Sequence, residues 1–157
     1  MTSPPEERHD HRIVVGVDGS ASSKAALAWA IEQGRLTGAA VEAVIAWELP
    51  AFYGYPGPMA WSDFNFEELA TKVVTDTIAE VAGAKAAAAV RYKVLGGNAA
   101  QALLSESVGA DLLVVGSRGH GGFAEALLGS IGQHCVHHAA CPVVVIRGSA
   151  DRQQQQG

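Results

Sequence analysis

Five short apolar runs rich in β-branched residues recur along the chain, separated by stretches with helical spacing. They are Arg12-Ile-Val-Val-Gly-Val17, Val41-Glu-Ala-Val-Ile-Ala-Trp47, Val90-Arg-Tyr-Lys-Val-Leu95, Asp111-Leu-Leu-Val-Val-Gly116 and Pro142-Val-Val-Val-Ile-Arg147. Four of the five are continuous apolar runs rather than alternating ones, the pattern of strands buried on both faces. A chain that alternates such strands with helices folds as an open α/β sheet with helices on both sides. Right-handed crossovers and an initial βαβαβ half predict a single parallel five-stranded sheet, order 3-2-1-4-5, that reverses direction between strands 1 and 4.

The connecting segments carry helix signals. Ser20 is the expected N-cap of a first helix that Gly34 and Gly38 bring to an end. From Asp63 to Ala89 the spacing is helical, with Phe66, Leu69, Val73, Thr77 and Val81 as the predicted apolar stripe, Asn65 and Glu68 as a capping box, and Gly83 as a break. Asn98-x-x-Gln101 opens a third helix that ends near Gly109, and Ser130-x-x-Gln133 opens the last. Glu48 to Ser62 holds three prolines and reads as a loop. Seven of the ten aromatics lie between Trp47 and Phe66, and local packing of that loop on the sheet is the favoured reading over a cover for a ligand or partner. No linker or repeat divides the chain, so one domain over 11–148 is expected, with disordered tails at 1–10 and 149–157.

A net charge of −5 without a Lys/Arg cluster argues against nucleic acid or an acidic membrane as the main partner. No apolar run approaches a membrane span, and Met1 to Asp10 lack the apolar core of an export signal, so the expected location is the cytoplasm. Two cysteines, Cys135 and Cys141, fit a reducing compartment.

Nine of the 18 glycines fall between Gly96 and Gly132, where backbone must bend sharply or approach something closely. In an open α/β sheet ligands bind outside the carboxyl ends of the strands at the reversal point. Here that crevice lies between Gly16-Val-Asp18 and Gly116-Ser-Arg-Gly119. The second segment leads through Gly129-Ser130 into a helix N-terminus, whose free N–H groups and positive dipole end form an anion cradle. Ser130 adds a hydroxyl and Arg118 a charge, which makes a phosphate site the functional reading. The plainer reading is that these glycines only make turns and that Ser130 only caps. Asp18 repels phosphate but accepts hydrogen bonds from a base amine or ribose hydroxyls, or shares a divalent ion; its plainer reading is a capping turn residue. No Gly-Lys-Ser/Thr occurs, which excludes a Walker P-loop, and the GxGxxA run from Gly119 to Ala124 lacks the acidic residue of a dinucleotide site.

The spacing Gly116-x2-Gly119-x9-Gly129-Ser130, together with the Val17-Asp18-Gly19-Ser20 turn after strand 1, resembles the ATP-binding members of the universal stress protein family. The resemblance runs from about Arg12 to Arg147. It implies a Rossmann-like or flavodoxin-like sandwich of the adenine nucleotide alpha hydrolase type, holding ATP with Mg²⁺ or Mn²⁺ in the crevice. Gly116, Gly119, Gly129 and Ser130 would hold phosphates and ribose, with Ile131 beside them and Asp18 facing the adenosine. Gly16 and Val17 would line the base pocket, and the main chain of Ala46 and Trp47 would meet the adenine edge. The sequence departs from the family by Gly16 where some members have proline and by Trp47 where many have a small aliphatic residue. The resemblance also implies a homodimer through the last strand, Val143 to Ile146, whose apolar edge invites pairing.

His134-Cys135-x-His137-His138-x-x-Cys141 lacks any standard zinc spacing and reads as a solvated histidine face with a cysteine packed inside. His120 reads as a solvated loop residue. No nucleophile elbow or paired carboxylates flank the crevice, so no catalytic residue is assigned and ATP hydrolysis, if any, is expected to be slow. The functional expectation is a nucleotide-dependent regulatory protein with an unidentified protein partner. The alternatives are a dimeric interaction module that binds no nucleotide, or a flavin carrier or enzyme.

Overall fold

The computed structural model describes residues 11–48, 65–118 and 129–148. Five parallel strands form one sheet: β1 (Arg12–Gly16), β2 (Ala40–Trp47), β3 (Arg91–Gly96), β4 (Leu112–Gly116) and β5 (Val143–Ile146). Their order is β3-β2-β1-β4-β5, as the strand pattern predicts. β1 is the pivot, with Val14 opposite Glu42 of β2 on one side and Leu113 of β4 on the other. Among the described residues four helices cover the sheet: α1 (Ala21–Thr37), α2 (Phe66–Ala87), α3 (Ala99–Glu106) and α4 (Ser130–His138). The expected tails and most of the aromatic loop lie outside the described residues. No described helix is long and apolar enough to cross a membrane.

Alternation along the central strands divides the interior in two. Ile13, Val15, Ala43, Ile45 and Val114 point to α1 and α2, where Leu27, Ala30, Val74 and Ile78 meet them. Val14, Val44, Leu113 and Val115 point the other way, to Leu103 of α3 and Cys135 of α4. Apolar strands buried on both faces therefore dictate a three-layer sandwich.

The helix caps follow the sequence closely. Ser20 accepts from the Ser23 N–H, Asn65 from Glu68 and Asn98 from Gln101. Two details differ. In α2 the buried row is Ala70, Val74, Thr77 and Ile78, while Leu69 and Val73 are 53% and 37% exposed. The helix carries two adjacent apolar rows, and spacing alone does not decide which of them meets the sheet. Gly83, with φ 80° and ψ 162°, kinks the helix without ending it, a conformation that favours glycine.

A charge cluster centred on the buried Glu42 lies beside α3, at the end of the sheet where β1 begins. Glu42 is 5% exposed, and its Oε1 stands 3.7 Å from Arg12 Nη1, too far to hydrogen-bond. Arg12 donates instead to the carbonyls of Glu106 (2.7 Å) and Val108 (3.1 Å), and Lys93 Nζ donates to Glu106 Oε2 at 2.9 Å. Burial, aided by a hydrogen bond with Glu106, pushes the Glu42 carboxyl above the ordinary glutamate range. Burial acts on Glu106 in the same direction, but hydrogen bonds from Lys93 and Glu42 outweigh it and hold that carboxyl low. Of the two carboxyls, Glu42 is therefore the one whose protonation the fold favours.

A carboxyl whose pKa is raised by folding stabilises the fold at low pH, and that contribution is lost as pH climbs from the ordinary glutamate range through the raised value. Glu42→Gln keeps a donor toward Glu106 and removes the titration. At pH 8 the variant is expected to exceed the wild type in stability by about 1 kcal/mol, with the difference shrinking below pH 4. Urea unfolding at the two pH values checks this; an equal loss of stability at both would contradict the assignment.

Candidate functional site

The carboxyl ends of β1, β2 and β4 and the first turns of α3 and α4 enclose a cleft of about 140 Å³. It sits at the reversal point of the sheet, on the side covered by α3 and α4. Gly16, Val17 and Asp18 border it after β1, and Ala46 borders it from β2. Gly116 and Arg118 approach from β4, and Gly129, Ser130 and Ile131 from the start of α4. Gly119 and His120 lie outside the described residues. Trp47 stands apart from the cleft: it packs with the α1/α2-side core, close against Gly96, and its carbonyl accepts the Gly97 N–H at 2.8 Å.

Hydrogen bonds fix the walls. Asp18 closes a turn, its Oδ1 accepting the Ser20 N–H at 2.9 Å while its own N–H donates to Ser23 Oγ at 3.3 Å. Ser22 Oγ donates to the Arg118 carbonyl, and Ser20 Oγ reaches the same oxygen at 3.4 Å. Ser117 donates to the Ile146 carbonyl at 2.8 Å and accepts the Gly129 N–H at 2.7 Å. The start of α1, the end of β4, the end of β5 and the start of α4 thus form one stitched rim.

The last helix begins one residue earlier than the capping-box spacing suggests. Gly129 is the N-cap, its carbonyl accepting the Gln133 N–H at 2.9 Å, and no side chain caps the helix. Ser130 is the first helical residue, so its hydroxyl is not taken by capping. The Gly129 N–H is already committed to Ser117, and Ser130, Ile131 and Gly132, which border the cleft, are the first-turn residues that follow. A first helical turn supplies no carbonyl partner for the N–H groups of such residues.

Two of the glycines have a packing reason. A Cβ on Gly116 would lie 2.6 Å from Ser22 Oγ and 2.7 Å from the Ser22 carbonyl carbon, so α1 reaches β4 only over a glycine. A Cβ on Gly16 would lie 2.9 Å from Leu103 Cδ1. Replacing Gly116 perturbs packing before it perturbs any ligand.

Sequence reasoning missed Ser23, Val44, Ala99, Leu103, Val115 and Gly132 as cleft residues. The signal for Ala99 and Leu103 was the Asn98 cap: α3 packs on β1 and β2, which brings its first turn to the reversal point. The N-termini of α3 and α4 both border the cleft, so two positive dipole ends converge on it.

A profile of the universal stress protein family matches residues 11–147. The chain belongs to the universal stress protein family. A universal stress protein of Mycolicibacterium smegmatis is 34% identical over 150 residues, which cover 88% of this chain and 49% of that protein. One from Mycobacterium tuberculosis is 33% identical over 137 residues, 87% of this chain and 45% of its own length. The chain thus spans about half the length of the curated relatives it matches. Among solved structures, the universal stress protein UspA from Lactobacillus plantarum superposes with a TM-score of 0.71 at 23% identity, over 88% of this chain and 98% of its own. A universal stress protein in complex with cAMP superposes with a TM-score of 0.62 at 25% identity, over 87% and 95%. The five-stranded sheet, its order and its helical layers are those of the universal stress protein fold.

Proposed function

We propose that the chain binds ATP in the cleft and acts as a nucleotide-dependent regulatory protein of the stress response. The observation that carries this is that the first turn of α4 (Ser130, Ile131 and Gly132) and Asp18 line one cleft at the reversal point of the sheet. The N–H groups of a first helical turn suit phosphate oxygens, and the carboxylate suits ribose hydroxyls or a base amine. The universal stress protein solved with cAMP supports an adenine nucleotide as the ligand. Gly16, Val17 and the Ala46 main chain take the base side, while Gly116, Gly129 and Arg118 take the phosphate side.

Asp18 is the one carboxylate among the described residues that line the cleft, so Mg²⁺ or Mn²⁺ arrives with the phosphates and meets Asp18 at most through water. Apart from Asp18 and Arg118, the described lining is backbone, aliphatic and hydroxyl groups. These bind and orient a nucleotide rather than move protons, which fits slow hydrolysis and a role for occupancy in presenting a surface to a protein partner. An ATP ligand and two free thiols suit the cytoplasm.

The test is calorimetry with Mg·ATP. Ser130→Asp places a carboxylate at the start of α4, where it favours the helix but faces the phosphates. Binding is expected to fall at least about tenfold, with the thermal midpoint kept or raised. Undiminished binding by Ser130→Asp would overturn the site, and no heat from the wild type would favour the interaction module that binds no nucleotide.

The same reading includes a homodimer through β5. The two sheet edges differ: β3 carries Arg91 and Lys93, which discourage strand addition, whereas β5 is Val-Val-Val-Ile and pairs with β4 alone among the described strands. Light scattering at working concentration should return the mass of two chains, and the mass of one would contradict the dimer.

A further inference from the structure

We propose that α4 carries a two-nitrogen chelate, formed by His134 and His138, for a divalent transition metal of the Ni²⁺, Cu²⁺ or Zn²⁺ class. The two residues are four apart on one helix, which places them on one face a turn apart. Their imidazole rings already meet, with centroids 4.5 Å apart and planes tilted by 42°. Nitrogens bound to one ion at about 2.0–2.1 Å each stand roughly 3–3.5 Å apart, a separation that rings so placed reach by side-chain rotation alone. His138 is exposed and His134 half-buried, so an ion reaches them from solvent.

The surroundings favour a cation. The pair occupies the C-terminal half of α4, where the helix dipole is negative and the last carbonyls lack partners within the helix. Imidazole nitrogen suits borderline metals, with Cu²⁺ held most tightly. His137 lies about 100° round the helix from its neighbour, its ring 6.5 Å from that of His138, and stands outside the chelate. Cys135 is fully buried in the core between α3, α4 and the sheet, and burial pushes its thiol up to about 11, so it serves packing rather than ligation. Among the described residues no group of three or more His, Cys, Asp or Glu side chains is set to hold a metal. The described residues therefore leave the remaining coordination positions to water or an exchangeable ligand.

The absence of zinc-finger spacing is consistent with this site, because a helical chelate obeys a different rule, the i, i+4 repeat. A metal clip across His134 and His138 also ties together half of a nine-residue helix too short to be stable by itself. The site rests on α4 alone and does not depend on nucleotide in the cleft.

The experiment is calorimetric titration of the full chain with Ni²⁺ alone, in parallel with thermal unfolding with and without the ion. His134→Ala and His138→Ala are each expected to weaken binding at least about tenfold and to abolish the rise in thermal midpoint, while His137→Ala changes neither. Wild-type affinity and midpoint shift retained in both variants, an equal loss in His137→Ala, or no binding by the wild type would overturn the assignment. Circular dichroism of each variant separates loss of a ligand from loss of the helix.

Discussion

The structure depends on the burial of β1 and β4 on both faces at once. Helices must therefore approach those strands from above and below, and at the strand ends there is room for them only over glycine. Gly16 admits Leu103 of α3, and Gly116 admits Ser22 at the start of α1. With both layers drawn in, α1 after β1 and α4 after β4 lie on opposite faces of the sheet, and the cleft opens at the strand ends between their first turns. Fold and site share one cause.

The polar rim is a consequence of that packing. Drawing α1 onto β4 buries Ser22 and Ser23, whose hydroxyls need partners inside. Ser22 finds the Arg118 carbonyl, and Ser23 meets the Ser20 carbonyl and the Asp18 N–H. These bonds hold the turn that carries Asp18 and the backbone leaving β4, so both walls are fixed by hydrogen bonds within the chain. In the proposed function the phosphates meet backbone N–H groups, so binding an anion requires no basic surface in a chain of net charge −5.

The strands, their order and the caps at Ser20, Asn65 and Asn98 were legible because β-branched runs and capping residues act locally. The buried row of α2 was not, since Leu69 and Val73 form as good a helical row as Val74 and Ile78, and the choice is made by the sheet. The glycine motif was legible as a place but ambiguous as a cause. Gly116 answers to Ser22, and Gly129 spends its N–H on Ser117, which leaves the proposed phosphate contact to the next three residues. The part played by α3 was legible only in part: the Asn98 cap marks where the helix starts, but its place beside the cleft follows from where the crossover lands.

The central claim is that the first turn of α4 receives the phosphates of an adenine nucleotide opposite Asp18. Backbone amide NMR with increasing Mg·ATP reads this directly. The account predicts that the amides of Ser130, Ile131 and Gly132 shift together with those of Gly16 to Asp18, saturating at one midpoint. Shifts confined to other surfaces, or a spectrum that ATP leaves unchanged, would contradict it.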